Sequence, residues 1–275
     1  MIDLHCHSNC SDGKLSPADL LDKALASGVQ ILALTDHDTT DGLTPLRKAA
    51  HTQAIKIVNG IELSTSWKKY DIHVVGLGID PDNTVIQTLI KQQNESRITR
   101  ALQIAEKMKA CKVDDAYAKA CKIAGHNRIG RPHFAQVFIE EGVVADAATA
   151  FKRFLGRGKP AYVPTPWLTI QEAVAGIVEA GGQAVLAHPL KYALTRTKLQ
   201  ELISEFKRAG GVGMEVVSGE MTVTQVNDMA GLCLRYDLLA STGSDYHGDN
   251  VSRVSLGKQR PLPLNCTPIW YQWTI

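Results

Sequence analysis

Nine residues spread along the chain carry the chemistry this sequence can offer: His5, His7, Asp12, His37, Glu62, His73, His188, Asp245 and His247. All are imidazoles or carboxylates, the donors that hold borderline divalent cations such as manganese, zinc and iron. His5 and His7 flank a single residue after the apolar start at 2–4, which reads as a strand. Strand side chains alternate faces, so these two imidazoles can reach one ion while Cys6 points elsewhere. Asp12 follows on a turn marked by Ser11 and Gly13, close enough to join the same pocket. One such histidine alone is as readily structural as ligating; the argument rests on the set. Six of the nine histidines fall at expected strand ends, whereas His51, His126 and His133 lie in a helix or in a helical segment. Nine donors exceed the roughly four to six that one zinc or manganese ion takes. Two or three ions bridged by carboxylates are therefore expected, with Glu62 and Asp245 as the bridges. Asp3 and Asp36 read either as partners that orient imidazoles or as structural caps.

The elements that must position these residues alternate. Ser16 can cap a helix opened by Pro17 and Asp19, with Leu20, Leu21, Ala24 and Leu25 as its apolar stripe and Gly28 as its stop. A buried strand at 31–34 ends at Thr35-Asp36-His37-Asp38, and a helix is expected over 43–52. A strand at 55–58 then runs into Asn59-Gly60-Ile61-Glu62. This βαβαβ order is that of a parallel sheet or barrel. Only about eight residues separate Glu62 from the strand at 72–77, fewer than the dozen or so of a parallel crossover. A hairpin-like reversal is expected, bringing His73 to the end of the sheet that carries Glu62.

Residues 91–159 show no strand pattern. A long helix over 94–112 and shorter ones at 116–123, 132–140 and 147–155 make an all-helical insertion. It leaves through Gly156-Arg157-Gly158-Lys159-Pro160, which lacks the glycine spacing and Ser/Thr of a P-loop. The alternation then resumes. Thr169 and Glu172 form a capping box, a strand at 184–187 ends at His188-Pro189, and a helix follows at 197–209. A strand at 213–217, a helix at 223–236 and a strand at 238–242 lead to Gly243-Ser244-Asp245-Tyr246-His247. The tail, with Trp270 and Trp273, is expected to pack back on the barrel. The organisation read from this is a first barrel part at 1–90, the helical insertion at 91–159, and a second barrel part with the tail at 160–275.

With 44% hydrophobic residues in 275, the chain can bury a large core. It has no run of 18 apolar residues and no signal-peptide pattern, so no membrane span or membrane partner is expected. Six cysteines without a Cys-x-x-Cys pair fit neither a zinc ribbon nor a disulfide framework, which suits a reducing cytoplasm. The net charge of +2 hides an asymmetry: residues 91–160 hold 14 Lys and Arg against 7 Asp and Glu, and the remainder 16 against 21. A basic segment beside an acid-rich scaffold suits an anionic substrate, or else marks a solvated helix face.

The motifs His5-x-His7 with Ser8 and Asp12-Gly13, Thr35-Asp36-His37-Asp38, Gly60-Ile61-Glu62, His73, Ala187-His188-Pro189 and Ser244-Asp245-x-His247 resemble those of the PHP family, named for polymerase and histidinol phosphatase. The resemblance covers nearly the whole chain. It implies an α/β fold, a distorted (β/α)7 TIM-like barrel, with a trinuclear metal site. It implies that His5, His7, Glu62 and Asp245 hold one ion, that Glu62, His73 and His188 hold a second, and that Asp12, His37 and His247 hold the third. Two to three divalent ions are expected, manganese first, with zinc or iron as alternatives. Within the family, the stretches from Ile129-Gly130-Arg131-Pro132-His133-Phe134 and from Phe151 to Tyr162 resemble a bacterial branch of 3′,5′-nucleotide bisphosphate phosphatases and 5′-to-3′ exoribonucleases.

The implied activity is metal-dependent hydrolysis of a nucleoside 3′,5′-bisphosphate to the monophosphate and phosphate, of the 5′ ends of short RNA, or of both. Clustered cations would make water the nucleophile, and no Ser-His-Asp or Cys-His arrangement competes. Asp12, His37 and His247 form the catalytic group, with Asp12 or His247 the candidates to pass a proton to the leaving oxygen. Arg97 and Arg100, three apart on one helix face, and Arg131 and His133 are the candidates for holding a second phosphate; a surface salt bridge is the plain alternative for each arginine. The expected partner is a small phosphorylated molecule and not duplex DNA, because the insertion has no interleaved aromatic platform. A histidinol phosphatase, a DNA-end trimming nuclease, or a non-enzymatic metal or nucleotide sensor remain the other readings of the same scaffold.

Overall fold

The computed structural model describes residues 1–273. Two compact units emerge: Met1–Ile90 together with the chain from Leu168 onward, and Lys91–Trp167. The second unit runs to Trp167, whereas the sequence reading set its exit at 156–160.

The first unit is built on β1 (Ile2–Asp3), β2 (Ile31–Leu34), β3 (Lys56–Trp67), β4 (Tyr70–Leu77), β5 (Leu168–Thr169), β6 (Gln183–Leu186), β7 (Gly213–Ser218) and β8 (Leu239–Gly243). Seven strands follow one another as β1-β2-β3-β4-β6-β7-β8, and β5 pairs with β3 off this path. The ends of that path meet. The Leu4 amide donates to Thr242 O at 3.0 Å, Asp245 N to His5 O at 2.8 Å, and His7 N to Tyr246 O at 2.9 Å. The result is a nearly closed seven-stranded barrel of the α/β class. Gly243 sits on this seam, where a β-carbon would lie 2.3 Å from His5 Cβ and 2.9 Å from His5 N.

Strand alternation divides the core. Ile31 and Ala33 point inward with Leu4, Val58, Val75, Leu77, Val185 and Ala187. Leu32 and Leu34 point outward to α1 (Pro17–Ala26) and α2 (Leu43–Ala50), whose Leu20, Leu21, Leu43 and Leu46 join them. On the other side Ala184 and Leu186 meet α7 (Ile170–Glu179), α8 (Arg196–Arg208) and α9 (Val223–Arg235) through Ile177, Phe206 and Met229. Helices α1, α7, α8 and α9 begin where the sequence offers a capping side chain, whereas α2 follows Gly42 without one. Ser16 Oγ accepts from Asp19 N, Thr169 and Glu172 form a reciprocal box, and so do Thr222 and Gln225. The tail closes the barrel floor: Ile269 is fully buried in the inner cluster, Trp270 packs against it, and Trp273 Nε1 donates to Gln183 Oε1 at 2.7 Å.

One strand breaks the parallel order: β4 runs antiparallel to both of its neighbours, β3 and β6. β3 and β4 are antiparallel, joined by a tight turn at Lys68 and Lys69, with Lys68 at φ 53°. Ser64 pairs with His73 and Glu62 with Val75, so Glu62 and His73 lie near the same barrel rim. The expected strand at 55–58 is therefore only the first part of a longer one. Pairing with β4 carries the ladder on past the rim, and Glu62 sits within the strand instead of after it.

The second unit is helical among the described residues. It contains most of α3 (Thr84–Lys109), with α4 (Ala116–Ala124), α5 (Arg131–Glu140), α6 (Ala147–Ala150) and a π turn at Phe151–Leu155. Helix α3 starts ten residues before the expected 94: no Gly or Pro interrupts 84–109, so the helix continues across the boundary between the units. Phe134, Phe138, Ile104, Met108 and Leu155 form this unit's own core, with Phe154 stacked on Phe138 at 4.6 Å.

Adding the methyl group of Gly243→Ala at the seam meets backbone, which cannot rotate away. A loss of about 1–3 kcal/mol is expected, seen as a lower thermal midpoint by circular dichroism. An unshifted midpoint would show that the seam is not tightly closed.

Candidate metal centre

At the rim where β1, β2 and β6–β8 end, and where the β3–β4 hairpin crosses, the nine imidazoles and carboxylates come together. His5 and His7 lie just past β1, in an extended run where Cys6 bridges to Tyr246. Their Nε2 atoms are 3.1 Å apart. Both face Glu62 Oε2, each at 3.2 Å, and Asp245 Oδ1, at 3.5 and 3.3 Å. The other Glu62 oxygen, Oε1, lies 2.8 Å from His73 Nδ1 and 2.8 Å from His188 Nε2. On the outer side Asp12 Oδ1 is 3.3 Å from His247 Nε2 and 3.8 Å from His7 Nδ1, and Asp12 Oδ2 is 3.9 Å from His37 Nε2.

Four overlapping sets of donors are spaced to hold a cation: His7, Asp12, His37 and His247; His5, His7 and Asp245; His5, Glu62 and His188; and His37, Glu62 and His73. The atoms themselves fit a cation better than they fit one another. Glu62 Oε2 is buried beside three imidazole nitrogens, including His37 Nδ1 at 3.1 Å, yet it makes no aligned hydrogen bond. His7 Nδ1, His37 Nδ1 and His188 Nδ1 are likewise buried and unsatisfied. A buried charged oxygen without a donor costs several kcal/mol, on the order of the penalty for an uncompensated ion, and a metal ion relieves it.

Protonation supplies what positive charge there is in the metal-free state. Burial alone would lower the pKa of His5, but Glu215, Glu62 and Asp245 outweigh it and hold the imidazole well above its ordinary value. His7 is also buried, and contacts with Asp245 and Glu62 bring it to about 10. Burial, aided by neighbouring His7 and His73, takes His37 down to about 3 against the pull of Glu62 and Asp12. Burial opposes ionisation of the three carboxylates, yet all stay well below their usual range: Glu62 through His37, His5 and His73, Asp245 through Lys191 and His5, Asp12 through His247 and His37. A cation taking His5 or His7 must expel a proton first.

Supporting residues divide differently from the sequence reading. Asp36 accepts from Ser8 N at 2.7 Å, Ser8 Oγ at 2.6 Å and Ser11 Oγ at 2.7 Å, fixing the loop that leads to Asp12. Asp3 accepts from Ser244 N at 2.9 Å and Gly257 N at 2.8 Å. Both serve backbone and loop, the structural of the two roles considered. The imidazole of His5 is oriented by Glu215, which sequence reasoning missed: His5 Nδ1 donates to Glu215 Oε1 at 2.6 Å, and His188 N donates to Glu215 Oε2 at 2.6 Å. Its signal was a lone acid among Gly213, Met214, Val216 and Val217, in a strand buried throughout. Asp38, another acid not singled out, accepts from Ser64 N at 2.8 Å and ties the β2 loop to the hairpin. Asp38, His188 and Asp245 adopt positive φ of 50°, 25° and 52°, a backbone cost that clusters at functional sites.

In the helical unit Arg97 and Arg100 are not surface residues: they are 7% and 4% exposed. Their guanidinium carbons lie 5.0 and 5.3 Å from the centre of the Trp167 ring. His133 Nδ1 accepts from Gly130 N at 3.0 Å, and a β-carbon on Gly130 would lie 3.8 Å from the Arg97 guanidinium and 3.9 Å from His133 Nδ1. Arg97 and His133 thus both lie close to Gly130 at the start of α5, while Arg131 turns to the Phe151 ring at 5.9 Å.

Residues 3–126 match the family described as PHP domain. The chain is 40% identical to a 3′,5′-nucleoside bisphosphate phosphatase of Chromobacterium violaceum, over 98% of this chain and 95% of that one. It is 39% identical to a 5′-3′ exoribonuclease of Haemophilus influenzae, over 98% and 97%. Among solved structures, an amidohydrolase from Chromobacterium violaceum with bound sulfate and no metal superposes with a TM-score of 0.93 at 40% identity, covering 98% and 94% of the two chains. An inferred metal-dependent phosphoesterase from Bifidobacterium adolescentis gives 0.81 at 26% identity, covering 98% and 92%.

Glu62→Gln keeps the shape of the central side chain and removes its charge. Uptake of Mn²⁺ by the purified protein, read by elemental analysis, is expected to fall by at least one ion per chain. Glu215→Gln, which leaves all nine donors in place, is expected to weaken Mn²⁺ binding about 10- to 100-fold in a calorimetric titration. Unchanged binding in both variants would separate this cluster from metal binding altogether.

Proposed function

The chain belongs to the PHP family, and on that premise we propose that it is a metal-dependent phosphoesterase acting on nucleoside 3′,5′-bisphosphates and on the 5′ ends of short RNA. The observation that carries this reading is the buried Glu62 carboxylate, which has imidazole nitrogens on both oxygens and no aligned hydrogen bond to Oε2. Such an atom asks for a cation. His5, His7, Glu62 and Asp245 would hold one ion, Glu62, His73 and His188 a second, and Asp12, His37 and His247 a third, manganese being our first assignment. When bound, these cations would acidify a water molecule and draw off the charge that builds on the phosphoryl oxygens.

The residues themselves do the rest. Asp12, His37 and His247 have side chains 10%, 14% and 19% exposed, against 0% for His5 and His7, so they are open to an entering substrate. Asp12 Oδ1 and His247 Nε2, 3.3 Å apart, would act there as ligands of the third ion and not as proton donors, since a coordinating carboxylate or imidazole nitrogen carries no proton. No thiol competes as nucleophile among the first loop's buried groups: Cys6 Sγ–H donates to Ala33 O, and burial pushes the thiol well above its ordinary value. In the helical unit Arg97 and Arg100, braced by Trp167, are our candidates for holding the phosphate that is not cleaved, together with Arg131 and His133. Phe134 and Phe138 fill the core of the helical unit and offer no platform for a long strand, which favours a small or short phosphorylated substrate over duplex DNA. No described helix is long and apolar enough to cross a membrane, and all six cysteines are free. Free thiols accord with a reducing cytoplasm.

Incubated with Mn²⁺, the protein is expected to convert adenosine 3′,5′-bisphosphate to adenosine monophosphate and phosphate, and to shorten 5′-phosphorylated oligoribonucleotides from the 5′ end. Chelation should abolish both, and histidinol phosphate should be a poor substrate. Inactivity on all three with metal bound would favour a sensor. Arg97→Ala with Arg100→Ala is expected to raise KM for the bisphosphate at least tenfold more than for an aryl phosphate, since one charged contact is worth about 1.5–3 kcal/mol. Equal losses on the two substrates would point to a folding defect and count against the subsite.

A further inference from the structure

We propose that Lys191 is a placeholder cation on Asp245, which yields that carboxylate to an entering metal ion and then grips the phosphoryl group of the substrate. The proposal rests on the metal-dependent reading above and adds a substrate contact to it.

Lys191 follows His188 by three residues, on the 3-10 turn Pro189–Tyr192. The turn is firmly held. Lys191 N donates to His188 O at 2.9 Å, Tyr192 OH donates to Ala187 O at 2.8 Å, and His73 N donates to the Tyr192 hydroxyl at 2.9 Å. The backbone of Lys191 is thereby fixed at the rim, beside two of the nine donors. Its side chain is 55% exposed along its length, and its ammonium reaches inward to Asp245 Oδ2. The other Asp245 oxygen faces His5 and His7. The carboxylate is 4% exposed, so it has little water to turn to when nothing positive is beside it.

An ammonium has three N–H donors and no lone pair, so it cannot itself join a coordination shell. It can only occupy the place of a cation. When a divalent ion takes Asp245, the attraction that held Lys191 there is shared with a stronger charge, and the ammonium is repelled by that charge. The flexible stem lets it move while the turn keeps it within reach of the rim. The nearest new anion in a working site is the phosphoryl group, whose oxygens suit a point charge on a mobile arm. A merely structural ion pair would behave in the opposite way, since its loss would loosen the site and weaken metal binding.

The test uses the full-length protein and Lys191→Met, which keeps the stem and removes the charge, with Lys191→Arg as the charge-retaining control. Titrated with Mn²⁺ by calorimetry after metal removal, Lys191→Met is expected to bind one ion on the order of tenfold more tightly than the parent. Titrated with inorganic phosphate after Mn²⁺ loading, Lys191→Met is expected to bind on the order of tenfold more weakly, and Lys191→Arg to keep most of the affinity. Unchanged or weakened Mn²⁺ binding in Lys191→Met overturns the proposal, and so does unchanged phosphate binding. A parent protein that takes up no divalent ion overturns both this proposal and the phosphoesterase reading beneath it.

Discussion

One carboxylate organises the upper end of this barrel. Glu62 is fully buried, ionised, and set among the imidazoles of His5, His7, His37, His73 and His188. Water is not available to it, and neighbouring imidazoles approach without satisfying Oε2. A charge in that position is tolerable only if positive charge is held close by, whether as protons on His5 and His7 or as metal ions. The strands, the hairpin and the seam are arranged so that donors from every part of the first unit arrive around this one side chain.

The surrounding shell shows what that arrangement demands. Glu215 holds both His5 and the backbone of His188, Asp38 ties the second loop to the hairpin, and Asp36 fixes the loop that leads to Asp12. His188 and Asp245 are donors with left-handed backbone angles, which an L-residue adopts at a cost.

Much of this was legible in the sequence. The alternating apolar runs announced a barrel, the caps Ser16 and Thr169 marked helices that form where expected, and eight or so residues after Glu62 were too few for a parallel crossover, which signalled the hairpin. Less legible was whatever depends on pairing between distant segments. The extension of β3 to Trp67 comes from its ladder with β4 and not from local preference. The role of Glu215 is visible only once β7 lies beside β6, since an acid in an apolar strand does not say which group it serves. Arg97 and Arg100 could be offered from spacing as phosphate ligands or as surface ion pairs, but not as buried residues, because the ring they lie against, Trp167, is some seventy positions away.

The hairpin and the seam impose different timetables on the donor set. Glu62 and His73 sit on adjacent strands joined by a two-residue turn, and they can meet as soon as that turn forms. His5 and Asp245 meet only when the last strand is laid beside the first, through contacts such as Asp245 N to His5 O. Until Asp245 and His247 have been made and β8 lies against β1, the Glu62 carboxylate has only part of its retinue around it.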